Sequence, residues 1–398
     1  MKQNRINVIF AEGSANRDTN MYYLLNGANI FAHYVKKAGK PACVVHVPIE
    51  REEACKTGLR LINVNRYDRR QILEKYRDPY VANAHFITML LDDLKVQGRV
   101  AFYGNFPLGG GYNYLRQLLK ANKQIRVHNE TDRSIISQAR TTKDRDEVAR
   151  IRKVRNAVIR AFNTMLKSAR NCRVKDGYLI TDGKSRLLIG DLRQVIRREL
   201  CAQNTIDSDG MIVSQGRDAG IPHNSGQDRQ PVKLGQPIVF DIYPQEIGGG
   251  YFFDFTRTIC FGYASEPVQK LYNTVARVHD YACSLLRVGK ATRDIEHQVC
   301  KLFEKEGHRT FLTDSKTQAG YCHTLGHGIG LNVHEGPFFN LLRTNRDRLR
   351  PGMVFTIEPG LYYPEKGYGV RIEDVIYVDT RGRIVNLTRY PRRLVIPI

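Results

Sequence analysis

Two stretches of the sequence place acidic residues inside core-like apolar runs on either side of a turn, and few folds accommodate both. The first is VFDIYPQEIGGGYFFDFTRT, Val239 to Thr258, with Asp241 before and Asp254 after the glycines at 248–250. A symmetric hairpin turning between Ile247 and Gly248 sets the two aspartates face to face. Directly opposed residues in an antiparallel pair hold their Cβ atoms about 4.5–5.5 Å apart, where like charges repel. The second is VFTIEPGLYYPEKGYGVRIEDVIYV, with Glu358 and Glu373 symmetric about the turn signal Pro364-Glu365-Lys366-Gly367. The flanks, Ile238 to Phe240 and Val354, Phe355 and Ile357, have the composition of core strands. One such acid alone reads as an exposed strand residue. Two matching pairs do not, because buried carboxylates must be paired or bind a metal, so positive charge is expected between them.

The stretch between the hairpins, CHTLGHGIGLNVHEGP from Cys322 to Pro337, holds His323, His327 and His334, with glycines on both sides of His327. At least one of these imidazoles reads as a ligand. Four carboxylates and an imidazole form an oxygen-rich set suited to hard or borderline divalent ions such as Mn, Fe, Co or Zn. With carboxylates able to bridge, the set can hold two ions roughly 3.5–4 Å apart, a recognised hydrolytic device.

These motifs resemble the pita-bread metallopeptidases, which include Xaa-Pro aminopeptidase (aminopeptidase P), prolidase and methionine aminopeptidase. DFTRT around Asp254, GHGIGLNVHE around His327, IEPGLY around Glu358 and VRIED around Glu373 occur in the family's order. By motif the resemblance runs from Thr141 to the C-terminus; before that it is one of general pattern. It implies that Asp241 chelates one divalent ion, that His327 and Glu358 bind a second, and that Asp254 and Glu373 bridge the two, with manganese the first expectation and cobalt, zinc or iron the alternatives. Glu358 is also implied as general base. His223, in GIPHNSGQ, looks like the family's histidine beside the scissile bond, and His334 like the one that steadies the tetrahedral intermediate. His323 matches the histidine that lines the proline pocket, and Arg371 and Tyr362 match accessory substrate-binding positions of aminopeptidase P. The implied chemistry is attack by an activated water, with Glu358 taking its proton and His223 and His334 donating hydrogen bonds to charge on the carbonyl oxygen.

Serine and cysteine nucleophiles are poorly supported. There is no G-x-S-x-G, and of the eight cysteines only Cys322 adjoins a histidine, His323; adjacent strand residues point to opposite faces. Without paired CxxC spacing, the cysteines read as reduced thiols of a cytoplasmic protein. The longest apolar run near the start, Ile6 to Ala11, is too short for a signal peptide or a membrane span.

At 398 residues the chain accommodates two domains. Residues 1–140 alternate strand-like runs (PACVVHVP, GRVAFYGN, IRVHNE) with helical stretches such as GYNYLRQLLK, the pattern of a small α/β domain like that of the creatinase N-terminus. The glycines at 109–111 read as a plain loop, since neither GxGxxG nor GxxxxGK is present. Residues 141–398 read as an α+β catalytic domain with two helix–helix–hairpin halves, the pita-bread pattern. In the helix that opens it, Val148, Ile151, Val154, Val158 and Phe162 form the buried stripe and the arginines between them a solvated face. The segment 171–216 reads by default as a surface excursion, with a cover over the site or a dimer contact as the alternatives.

The net charge of +22, from 62 Lys+Arg against 40 Asp+Glu, raises nucleic acid as a partner. The basic residues are dispersed along the chain and no RNP, zinc-finger or basic-zipper pattern is present, so the expectation is a basic, solvated surface. The reading as a whole is a cytoplasmic, homodimeric, two-metal exopeptidase releasing the first residue of peptides with proline second. The enzyme alternative is a prolidase acting on Xaa-Pro dipeptides. The non-enzyme alternative is a binding protein, for RNA, on the same scaffold.

Overall fold

Strand-forming runs of valine, isoleucine and phenylalanine build the sheet of the first of two units. The structure is a computed structural model that describes residues 1, 5–130, 133–182 and 184–398. Its two units are Met1–Ala139 with Gly248–Gly250, and Arg140–Ile247 with Tyr251–Ile398. In the first, β1 (Val8–Ser14), β2 (Phe31–Lys37), β3 (Ala42–His46), β4 (Arg60–Asn63), β5 (Gly98–Gly104) and β6 (Ile125–Val127) form a mixed sheet of order β4-β3-β2-β1-β5-β6. Residues of one pleat face, Val8, Phe10 and Val100, pack under helices α1 (Pro79–Asp93) and α2 (Leu108–Ala121) through Phe86, Leu90 and Leu118. The opposite face, with Ile9, Ala11 and Val44, packs on Met21 and Leu25. The glycines at 109–111 are not a loop but the first turn of α2. A Cβ at Gly110 would crowd the Tyr80 hydroxyl of α1, so close helix approach accounts for that glycine without a ligand.

The second unit opens on α3 (Arg145–Arg170), where Asp144 accepts from the amides of Asp146 and Glu147 while Glu147 accepts from the Asp144 amide, a capping box. Its buried side is the stripe Val148, Ile151, Val154, Val158 and Phe162, widened by Ala157, Ala161 and Met165. After the β7–β8 hairpin (Arg173–Lys175, Tyr178–Ile180) and α4 (Ile189–Ala202) comes the short β9 (Thr205–Ile206). A four-stranded sheet follows from β10 (Ile212–Gln215), β11 (Pro237–Asp241) and β13 (Thr256–Phe261), while β12 (Gln245–Glu246) leaves it to pair with β9.

The second half repeats the plan with α5 (Glu266–Ser284), α6 (Thr292–Lys305), β14 (Gly326–Gly328), β15 (Glu335–Phe339), β16 (Val354–Ile357), the hairpin β17–β18 (Gly360–Tyr363, Tyr368–Arg371), β19 (Asp374–Val378) and β20 (Ile384–Asn386). Its five-stranded sheet has the order β15-β14-β16-β19-β20, and β21 (Val395–Ile396) completes the four-stranded sheet beside β13. Val275, Val299, Phe303, Phe355 and Ile376 form its core.

The segment 171–216 is more than a surface excursion. Leu179 is fully buried, and backbone bonds from Leu179 to Val232 (3.2 Å) and from Leu187 to Leu179 (2.8 Å) bind it down. Only Leu179 of the hairpin is buried, while β7, Val174 included, stays exposed.

Candidate metal centre

The second hairpin keeps the symmetry expected of it. Ile357 pairs with Asp374 and Gly360 with Arg371 in one register, with Glu358 and Glu373 one step beyond the β16–β19 ladder. Pro364–Lys366 and a left-handed Gly367 (φ 78°) make the turn. The first hairpin departs from its expected register: Asp241 lies opposite Thr256, not Asp254. The register holds through the whole hairpin, with Ile242 bonded to Phe255, Phe253 to Pro244, Gln245 opposite Phe252 and Glu246 bonded to Tyr251, so the turn centres between residues 248 and 249, one later than expected, and Asp254 falls two residues short of Asp241's partner. The two carboxyls still come together, since Asp241 is the strongest charged influence on Asp254.

His327 reaches the same point through β14. A Cβ at Gly326 would collide with the Thr356 carbonyl oxygen and one at Gly328 with that of Gly336, so only glycines permit this bulged strand to lie so near its neighbours. The His327 amide donates to Thr356 Oγ1 at 3.1 Å, and the same hydroxyl donates to Glu358 Oε1 at 3.1 Å. Thr256 mirrors it in the other half, donating to Glu373 Oε2 at 2.9 Å.

Ligand atoms of Asp254, His327 and Glu373 lie within 4.8 Å of one another. His327 Nε2 is 3.1 Å from Glu358 Oε1 and 3.7 Å from Asp254 Oδ2. Burial, and then the neighbouring acids, push the Asp254 and Glu373 carboxyls well up. Burial opposes ionisation of Glu358 too, but His323 and His327 outweigh it and hold its carboxyl low, at about 2. Asp241 Oδ1 and Glu373 Oε1 are buried without a hydrogen-bond partner. Orphaned oxygens, crowded acids and one imidazole fit divalent cations, which would relieve the repulsion and take up the free lone pairs.

A cleft of about 620 Å³ opens over the cluster, lined by Asp241, Asp254, His327 and Glu358 together with His223, His323 and His334. The His334 ring centroid is 4.2 Å from that of His327, and the His223 ring 5.4 Å from that of His323. Burial, then His327, holds His334 down at about 4, and burial lowers His323 as well. His334 is therefore neutral near pH 7 and keeps an N–H to donate.

Arg371 and Tyr362 are placed differently from the substrate contacts expected of them. Both are fully buried and neither lines the cleft. Arg371 donates to Asp241 Oδ2 at 2.5 Å and to the Tyr362 hydroxyl at 2.8 Å, so the pair supports the cluster from beneath. Arg371 stands two residues before Glu373 and Tyr362 four after Glu358, on the two strands of the β17–β18 hairpin, even spacings that keep them on the acids' side of the sheet.

The sequence reading missed several contributors. Arg193, Arg197 and Tyr243 line the cleft. Buried Arg257 donates to the Glu373 carbonyl oxygen at 2.6 Å and to Asp374 Oδ1 at 2.8 Å. Glu296 of α6 accepts from the Leu325 amide at 2.8 Å and fixes the strand entering β14. For Thr256 and Arg257 the signal was at hand in DFTRT, as consecutive polar residues entering an apolar strand that is buried throughout. Glu296 had none, being one acid on an amphipathic helix.

A sequence model described as metallopeptidase family M24 matches residues 149–380. An uncharacterized peptidase of Staphylococcus aureus (strain MW2) is 32% identical over 257 residues, a match spanning 65% of this chain and 65% of the relative, under two thirds of its length. Among solved structures, X-Pro aminopeptidase from Thermotoga maritima MSB8 superposes with a TM-score of 0.75 at 20% identity, covering 99% of this chain and 98% of that one. An Xaa-Pro dipeptidase from Bacillus anthracis gives 0.76 at 20% identity over 100% and 96% of the two chains. The prolidase from Pyrococcus furiosus gives 0.73 at 20% over 98% and 99%. At these identities the likeness is one of fold, and that fold is the pita-bread fold.

Proposed function

The chain belongs to metallopeptidase family M24, and on that premise we propose that it is a two-metal exopeptidase releasing the N-terminal residue from peptides with proline in second position. The observation that carries this reading is the buried convergence of Asp254, His327 and Glu373 under a cleft that Asp241 and Glu358 also line. Asp241, Asp254, His327, Glu358 and Glu373 are the residues that would hold the ions. When bound, two divalent ions supply Lewis-acid polarisation of a carbonyl and acidify water near neutral pH.

The chain's own residues do the rest. Glu358, held low and ionised, accepts the proton of the attacking water. Neutral His334 donates to the carbonyl oxygen as charge develops there, and His223, across the cleft beside His323, is the second donor. His323 lines the proline pocket. Arg371 orients Asp241, and Tyr362 in turn fixes Arg371.

A prolidase acting on Xaa-Pro dipeptides is the second reading, since structural likeness includes proteins described as prolidase and as Xaa-Pro dipeptidase. A homodimer and a cytoplasmic location complete the proposal; no helix among the described residues is long and apolar enough to cross a membrane. Metal analysis combined with turnover of an Xaa-Pro dipeptide and a longer Xaa-Pro peptide tests it. Two ions per chain and preference for the longer substrate are expected, manganese before cobalt, zinc or iron. Preference for the dipeptide would select the prolidase reading, and turnover by metal-free protein would overturn both.

A further inference from the structure

The net charge of +22 has no part in the site above, and the fold gathers a share of it in one place. Two cavities, of about 270 and 480 Å³, lie between α3 and the C-terminal segment. The first has Arg152 and Arg155 of α3 facing Asn386 and Arg389; the second has Lys167 and Arg170 facing Tyr390 and Arg393. Residues 152, 156, 163, 167 and 170 of α3 line the two in turn, a spacing that keeps them on one side of the helix. At ~1.5 Å per residue the row is about 27 Å long.

No carboxylate lines either cavity. Arg257, which reaches the second from below, is answered by Asp374 at 2.8 Å, but the exposed Arg152, Lys167, Arg170, Arg389 and Arg393 face one another without an acid in the lining. Arg155 is tied to the Thr388 carbonyl oxygen at 2.6 Å, which fixes it beside Arg389. Burial, then that neighbour, pushes the Arg155 guanidinium below its ordinary value, as expected where like charges share a groove. The arginines of α3 read in the sequence as a dispersed, solvated face; it is Arg389 and Arg393, brought over from the far end of the chain, that turn that face into a groove.

We propose that this groove binds the phosphodiester backbone of a single-stranded nucleic acid. Guanidinium groups predominate over ammonium groups in it, and their planar donors match phosphate oxygens in pairs. Tyr390, half-buried in the wall of the larger cavity with the Arg257 guanidinium 5.8 Å from its ring centroid, adds an aromatic group to that wall, the kind of side chain that bases pack against. A cavity that holds an unstacked base selects single strands, because a duplex keeps its bases paired and stacked.

The test is fluorescence anisotropy with labelled RNA and DNA strands of about 12 nucleotides, within the usual footprint of single-strand binders. Binding at about 0.15 M salt is expected, with the logarithm of affinity falling against that of salt with a slope of about −3 to −4 for four to six phosphates contacted. The triple variant Arg152→Glu/Lys167→Glu/Arg393→Glu should lose at least about tenfold. A control of equal charge change on other exposed residues, Lys301→Glu/Lys305→Glu/Arg343→Glu, should lose less than about threefold. Melting curves confirm that both variants are folded. Binding of RNA above DNA assigns the groove to RNA, and equal binding assigns it to the shared backbone. Three results would overturn the proposal: no binding at that salt, equal loss in the control, or competition by poly-glutamate as effective as by unlabelled strand, which would make the partner an acidic peptide.

Discussion

Arg371 donates to one oxygen of Asp241 at 2.5 Å while the other, Oδ1, is buried and has no hydrogen-bond partner. The carboxylate is thus oriented by its neighbour and presented with one oxygen free. Arg371 is itself held by the Tyr362 hydroxyl and the Pro222 carbonyl oxygen, so its planar fork has a fixed direction that a lysine would not reproduce.

Substitution at Arg371 should therefore weaken the metal centre without removing a ligand. Partners that orient ligands typically contribute about 10–100-fold in metal affinity, and Arg371→Lys should fall toward the low end of that range, Arg371→Ala toward the high end. Calorimetric titration of metal into stripped protein measures it. Unchanged affinity in Arg371→Ala would mean that Asp241 is held by the sheet alone.

Arg257 joins the two halves of the second unit, because it springs from β13 and binds the Glu373 carbonyl oxygen, Asp374 and the Tyr390 carbonyl oxygen. Removing one partner of a buried ion pair costs about 3–5 kcal/mol. Arg257→Ala should lower the melting temperature by roughly 10 °C for a unit of this size, with Asp374→Asn costing less because Asn386 still donates to that side chain. Scanning calorimetry of both variants checks the order; a reversed order would place the weight on Asp374 and its contact with His279.

Much of the site was legible in the sequence for a physical reason. Glu358 and Glu373 flank a short turn whose register is continuous through both ladders, so their symmetry in number is symmetry in space. The histidine between glycines was legible because a Cβ on either side would strike backbone. The facing of Asp241 and Asp254 was not, because a run of three glycines lets the turn centre one residue later than symmetry about the two acids requires, and nothing in the sequence fixes which glycines take it. Arg371 and Tyr362 were matched to accessory substrate-binding positions by motif alone, and motif spacing says nothing of depth; the packing of the strands shows them buried. The groove at α3 was illegible because its two walls are distant in sequence.

Glu296 makes stability depend on pH. Burial raises its carboxyl from the ordinary 4.5 to about 8, although the Leu325 amide and the Tyr321 hydroxyl bond to it. A carboxyl raised on folding contributes stability that is complete below the unfolded value, where both states are protonated, and lost as pH rises through the folded value, where the folded chain holds an unwelcome charge. Glu296→Gln has no proton to lose. Between about pH 5.5 and 8.5 the wild type should lose stability relative to this variant. Denaturant melts at both values decide it, and a difference that stays constant with pH would mean Glu296 is already ionised in the folded protein.

The sharpest test of the proposed chemistry compares Glu358 with His323, which sit side by side at 3.7 Å yet are given different work. Glu358 lies 3.1 Å from His327 and lines the cleft with it, and its carboxyl is held low, so it can both hold an ion and accept a proton. Glu358→Gln keeps the shape and one oxygen but removes the charge and nearly all basicity. Turnover should fall by about 10²–10⁴, the usual contribution of general-base catalysis, while KM changes little because proline is recognised elsewhere. His323 is not part of the cluster that Asp254, His327 and Glu373 form among the described residues. His323→Ala should raise KM for Xaa-Pro peptides or relax the preference for proline, with metal content nearly intact. Both must be assayed at saturating metal with the bound ions counted, since a chain that has lost an ion imitates one that has lost its base. Near-normal kcat in fully loaded Glu358→Gln would transfer the proton to another residue, whereas loss of metal in His323→Ala would move that histidine from the substrate pocket to the ligand set.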